Sequence, residues 1–243
     1  MAHKTVLITG SAKRIGKNLA WYFAEVGYEV VLHYNTSNKE VDLLQQELAE
    51  RYSDRCFPVV QADLSQWRTM GDVFEGWVNQ VGTIDILVNN ASIFKPASLM
   101  NTSVDLMEEQ LSANFLGPFF LSQAFFKNFS GGQIINLLDT KVITNESAHA
   151  AYLLAKKALC EFTKMAALEW APAMRVNAIA PGPVLPAVGK GRDNFEAVVE
   201  HTPLKHSVDM SSLNAAVEFL INASSVTGQV IYCDAGMHLK NIS

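Results

Sequence analysis

Short apolar runs rich in β-branched residues alternate with longer segments of helical period along the whole chain. That alternation constrains the fold more than any other feature. Strands are predicted over 5–9, 29–33, 56–61, 84–88, 133–138, 175–180 and 229–233. Helical patterns fill the gaps, over 15–26, 39–51, 69–81, 104–129, 149–170 and 211–221. Runs such as Ile84-Asp85-Ile86-Leu87-Val88 are too continuously apolar for a sheet with one wet face, so helices must cover both faces. The expectation is one α/β domain built on a doubly wound, parallel sheet with right-handed crossovers. No internal repeat or linker interrupts it.

A chain of 243 residues with 49% hydrophobic and 18% charged residues can bury a full core, which excludes disorder. A net charge of −5 offers no electrostatic footprint for nucleic acid. No apolar run approaches the roughly 18 residues of a membrane span. The N-terminus passes straight into the first strand, so no signal peptide is expected and a cytoplasmic location is. Cys56, Cys160 and Cys233 are odd in number and widely spaced; they are expected to be reduced, packed thiols, and no metal site is predicted.

The first strand runs into Thr9-Gly10-Ser11-Ala12-Lys13-Arg14-Ile15-Gly16, where a helix begins. Glycine permits a tight turn against a pyrophosphate, and the helix N-terminus supplies N–H groups and partial positive charge. Nucleotide folds that select NAD usually carry a carboxylate after the second strand. Here the segment reads Leu32-His33-Tyr34-Asn35-Thr36-Ser37, with none, and Lys13 and Arg14 stand in the turn nearby. A 2′-phosphate is compatible with that set, which favours NADPH. Asp63-Leu64 and Asn89-Asn90-Ala91-Ser92 end the third and fourth strands, on the sheet edge where a cofactor lies.

Tyr152 and Lys156 share one helical face, four residues apart. A nearby ammonium is expected to lower the phenol pKa and make it a proton donor or acceptor near neutrality. Asp139 closes the fifth strand thirteen residues upstream, and Asn114 lies in the preceding helix. Residues 181–210, with Pro183, Pro186, Pro203 and the Gly189-Lys190-Gly191-Arg192 patch, show little period; a substrate lid is predicted there.

These pieces together, with Pro181-Gly182 and the closing Thr227-Gly228-Gln229 and Asp234-Ala235-Gly236, resemble the short-chain dehydrogenase/reductase family over the full length. The resemblance implies a Rossmann-like sheet of seven strands and a homotetramer. It assigns proton transfer to Tyr152, ribose binding and pKa depression to Lys156, and a water relay to Asn114. It assigns cofactor contacts to Gly10, Arg14, Ile15, Gly16, His33, Tyr34, Asn35, Asp63, Leu64, Asn90, Ala91, Ser92, Pro181 and Gly182. One departure is informative: Asp139 stands where the family usually has serine. A carboxylate disfavours a developing alkoxide and suits a ring with N–H groups.

The same departure occurs in pteridine reductases. The glycine turn, Leu32-His33-Tyr34 and Asn89-Asn90-Ala91-Ser92-Ile93-Phe94 are similar to theirs, although Thr36 falls where arginine often lies in that subgroup. By that resemblance Phe94 stacks a pterin against the nicotinamide, and Arg14, Ser92, Asp139 and Tyr152 also contact it. The expected reaction is NADPH-dependent reduction of a dihydropterin or dihydrofolate-like ring. A general carbonyl or 3-oxoacyl reductase is the alternative within the family. A non-catalytic NADP-binding sensor or scaffold is the alternative outside it.

Overall fold

The computed structural model describes residues 3–129, 131–186 and 191–242. Seven strands form one parallel sheet: β1 (Thr5–Ile8), β2 (Glu29–Tyr34), β3 (Val59–Gln61), β4 (Ile86–Asn89), β5 (Gln133–Leu137), β6 (Arg175–Pro181) and β7 (Val230–Cys233). Their order is β3-β2-β1-β4-β5-β6-β7. Period-2 alternation splits the strand side chains between two cores, which explains the unbroken apolar runs. Leu7, Val31, Leu87, Ile134 and Val176 enter one. Val6, Ile8, Val30, Leu32, Val88, Ile135 and Ile179 enter the other.

Helices α1 (Arg14–Glu25), α2 (Asn38–Arg51) and α8 (Met210–Asn222) pack on the second core. On the first pack α3 (Met70–Val81), α5 (Gly117–Asn128) and α6 (Ala150–Glu169). The chain leaves β1 toward β2 on one side, while β4 pairs on the other. That reversal opens a crevice at the C-terminal ends of β1 and β4, where ligands bind in such sheets.

The structure revises three expectations. The predicted helix over 104–129 is α4 (Val104–Leu111), a π-helical turn (Ser112–Leu116) and α5 in succession. A π turn places one extra residue in the helix and interrupts the 3.6 period at Asn114. The irregular stretch after Pro181 contains α7 (Arg192–Glu200), whose Phe195, Val198 and Val199 are half-buried on one face. Nine residues are too few for a period to stand out among prolines and charges; Gly189 and Lys190 lie outside the described residues. Cys56 is exposed rather than packed: its backbone accepts from Val30 N, and the neighbouring Phe57 is the side chain that enters the core. Cys160 is buried and Cys233 half-buried, as free thiols.

Candidate active site

The turn after β1 is built around close backbone approach. Gly10 has φ of 64°, which favours glycine, and a Cβ on Gly16 would sit 2.2 Å from the Gly10 carbonyl oxygen. Arg14 takes φ of 54° to turn the chain into α1. No side chain caps the α1 N-terminus, and no acidic residue stands in its first turn. Asn90 holds the turn from the β4 side, its Nδ2 donating to the carbonyls of Thr9 at 2.8 Å and Gly10 at 3.1 Å. The Thr9 hydroxyl accepts from the N–H groups of Asn90 and Ala91 at 2.9 and 3.0 Å.

A cleft of about 390 Å³ opens over this turn. Gly10, Arg14, Ile15 and Gly16 form its floor with Lys13, and Asn90, Ala91 and Ser92 one wall. His33, Tyr34 and Asn35 line the far side with Thr36 and Ser37, and Asp63 and Leu64 close it from β3. The structure thus gathers nearly all the predicted cofactor residues into one crevice. Pro181, Gly182 and Lys156 do not line it; Pro181 ends β6, and the N–H of the next residue, Gly182, donates to Cys233 O at 3.0 Å.

Two basic groups at this cleft are already engaged. Lys13 pairs with Glu40 at 2.7 Å, and the Arg14 guanidinium donates to Pro186 O at 2.9 Å, joining the turn to the segment after β6. His33 brings no charge. Burial drives its pKa down to about 4, against a weaker upward pull from the Ala62 carbonyl. Its Nδ1 accepts from the Gly10 N–H at 3.0 Å, so the proton sits on Nε2, which faces Ala62 O at 3.2 Å. The imidazole braces the glycine turn.

Next to the cleft stands a second constellation. The Tyr152 phenol donates to Asp139 Oδ2 at 3.0 Å, and Asp139 Oδ1 accepts from Lys141 N at 2.8 Å. Burial, then the Asp139 charge and its hydrogen bond, push the Tyr152 pKa well above its usual value, while the Ser92 hydroxyl pulls weakly down. This corrects the expectation of an acidified phenol. Lys156 is 2% exposed, donates to Leu137 O at 2.8 Å, and has its own pKa lowered to about 8 by burial. A desolvated amine whose nearest acceptor is a carbonyl does not drain the phenol's proton; a carboxylate at hydrogen-bond distance retains it.

Asn114 is fully buried at the π turn, and its role is legible in its bonds. Its Oδ1 accepts from the Ser92 hydroxyl and the Ile93 N–H, both at 2.9 Å, and its Nδ2 donates to Ile93 O at 3.0 Å. Ser92 thereby ties the cleft wall to the π turn. Phe94 follows, 45% exposed, perpendicular to the Tyr152 ring at 4.7 Å.

Two features were not anticipated from sequence. The His149 ring stacks on Phe94 with centroids 4.3 Å apart and planes 17° from parallel. The buried Asp234 carboxylate accepts from Thr140 Oγ1, from the N–H groups of Gly236 and His238, and contacts His238 Nδ1 at 2.9 Å. Thr140 directly follows Asp139, so this node anchors the segment after β5 to the C-terminal turn. Spacing offered one signal for His149, three residues before Tyr152 in the predicted 149–170 helix; in the structure it is the N-cap residue of α6.

Comparison with known proteins fits this geometry. Residues 10–238 match the family model described as enoyl-(acyl carrier protein) reductase. The chain is a short-chain dehydrogenase/reductase. An uncharacterized oxidoreductase of Mycobacterium tuberculosis is 31% identical, over 98% of this chain and 94% of its own. The 3-oxoacyl-[acyl-carrier-protein] reductase FabG of Staphylococcus epidermidis is 28% identical over 98% and 100%. Among solved structures, FolM alternative dihydrofolate reductase 1 of Brucella canis, complexed with NADP, superposes with a TM-score of 0.89 at 32% identity, covering 97% of this chain and 94% of that one. Its counterpart from Brucella suis, also with NADP, gives 0.91 at 32% identity, covering 97% and 95%. In this short-chain dehydrogenase/reductase the sheet runs from Thr5 to Cys233, and no described helix is long and apolar enough to cross a membrane.

Proposed function

We propose that the protein reduces a pteridine ring, of dihydropterin or dihydrofolate type, with NADPH as the hydride source. The observation that carries the reading is the hydrogen bond from Tyr152 to the Asp139 carboxylate, beside an exposed phenyl ring and next to the nucleotide cleft. The 32%-identical FolM structures support it by their name and by the NADP they contain.

The cleft fits such a cofactor: its volume lies within the usual range for ligand sites, and the uncapped N-terminus of α1, with no acidic residue in its first turn, lines it. The far wall offers hydroxyls and amides from Tyr34, Asn35, Thr36 and Ser37, with Lys13 and Arg14 beneath, and no carboxylate lies between β2 and α2. When bound, the cofactor supplies a hydride to a carbon of the substrate ring. Lys156 and Asn90 would hold ribose and the turn, respectively, and Asp63 and Leu64 would border the adenine side. Phe94 would give the ring a flat surface.

Tyr152 would deliver the balancing proton. A phenol with a raised pKa parts with its proton only to a strongly basic partner, which a ring nitrogen becomes as hydride adds to its neighbouring carbon. Asp139 would accept a hydrogen bond from an N–H of the ring, or pass to the phenolate a proton that it has first taken from solvent. A ketone fares worse, since its developing alkoxide would face the Asp139 carboxylate. The FabG relatives favour that second reading, a 3-oxoacyl reductase, on overall similarity. Loss of NADPH absorbance with dihydrobiopterin or dihydrofolate, and not with ketones or 3-oxoacyl thioesters, is the expected result; turnover of 3-oxoacyl thioesters alone would overturn it. The cytoplasmic homotetramer implied by family resemblance belongs to the same reading, and light scattering would read four chain masses.

A further inference from the structure

The loop that carries Phe94 is fixed on both sides. Before it, the Asn114 amide grips the Ile93 backbone in both directions, accepting from its N–H at 2.9 Å and donating to its carbonyl at 3.0 Å. After it, Lys95 bonds Glu109 at 2.6 Å, and a parallel bridge joins Ala97 to His149, with Ala150 N donating to Ala97 O at 3.0 Å. These contacts set the backbone. They leave the phenyl itself free to turn, and the side chain is 45% exposed.

Two rings act on that phenyl. Tyr152 meets it at 88°, and the His149 imidazole lies along one of its faces at 4.3 Å. We propose that His149 is a positioning residue that fixes the plane of Phe94, so that the phenyl presents its exposed surface to one flat substrate ring in a set orientation. The inference rests on the reading of Phe94 as the substrate's stacking surface. It adds a specificity element that the reaction chemistry does not need: a phenyl held against the imidazole at 4.3 Å offers its exposed surface at a fixed angle to the Tyr152 ring. A phenyl that must be ordered at binding would lose the advantage of a preformed surface.

His149→Ala removes the stack and His149→Phe keeps a flat ring without imidazole nitrogens. A stacked aromatic pair corresponds to about two- to tenfold in an equilibrium constant. In the NADPH-loaded protein, His149→Ala should raise KM for dihydrobiopterin about fivefold while kcat and NADPH affinity stay near their wild-type values, and His149→Phe should restore KM. An unchanged KM in His149→Ala would overturn the inference, and so would a His149→Phe variant as poor as His149→Ala. A substrate-free readout separates this failure from failure of the proposed function. With 4-fluorophenylalanine placed at position 94, the 19F resonance should shift on His149→Ala as the ring current is lost; no shift would refute the stack. Wild-type protein that ignores dihydropterins, with the 19F resonance still moving on His149→Ala, would sink the proposed substrate and leave the stack standing.

Discussion

A lysine buried to 2% exposure ought to weaken the fold, and replacing it makes a test whose sign changes with pH. The lowering of the Lys156 pKa from 10.5 to about 8 by burial corresponds to about 3 kcal/mol against the folded state wherever the amine is charged in both states. Lys156→Met removes that penalty with a side chain of similar length. It also strips Leu137 O of its donor at 2.8 Å, which costs about 1–3 kcal/mol. At pH 7 the variant should therefore be more stable by about 1 kcal/mol, or about 2–4 °C in Tm for a chain of this size. Between pH 8 and 10.5 the unfolded lysine holds a proton that the folded one has released, so rising pH favours the wild-type fold. By pH 10 most of the penalty is gone while the neutral amine still donates to Leu137 O. The order should then invert, with wild type the more stable. Urea melts of both proteins at pH 7 and pH 10 read the difference directly. A gap that keeps its sign and size at both pH values would refute the reasoning.

Asp139→Ser should depress dihydropterin turnover about 100-fold, in the range of a lost proton-transfer partner, with NADPH affinity within twofold by fluorescence titration. Thr140→Val leaves the buried Asp234 carboxylate one donor short and should destabilise the fold by about 1–3 kcal/mol in urea melts at pH 7, with Thr140→Ser recovering it. The Asp234 pKa is held down, against the upward push of burial, by hydrogen bonds from Thr140 and His238. Its contribution is thus present above the unfolded carboxylate pKa and fades as pH falls below it, so the two proteins should converge in stability under acid conditions.

The sheet and its crevice were legible because both-face burial writes itself as continuous apolar strands, and because Gly10, Gly16 and Asn90 answer to backbone geometry at one turn. The Tyr152–Lys156 face followed from helical spacing. What spacing could not show is which of two charged neighbours governs the phenol. Asp139 is thirteen residues away in sequence and 3.0 Å away in space, while Lys156 is one helical turn away and points its amine at Leu137 O. Residue type also hid the state of His33, since an imidazole reads as a potential cation until its burial and the Gly10 N–H show it neutral. The π turn at Asn114 and the short α7 escaped for a different reason: each alters the helical period over a stretch too brief to register as a pattern. His149 and Asp234 join elements far apart in sequence, and only the folded chain brings them to Phe94 and Thr140.

The ionisation of Tyr152 bears most directly on the whole account. Tyrosinate absorbance near 295 nm, recorded from pH 6 to 10 as the difference between wild type and Tyr152→Phe, isolates this one phenol. A flat difference across that range is expected for a phenol held neutral by burial and by Asp139. A titration step near neutral pH would contradict it, returning control of the proton to Lys156.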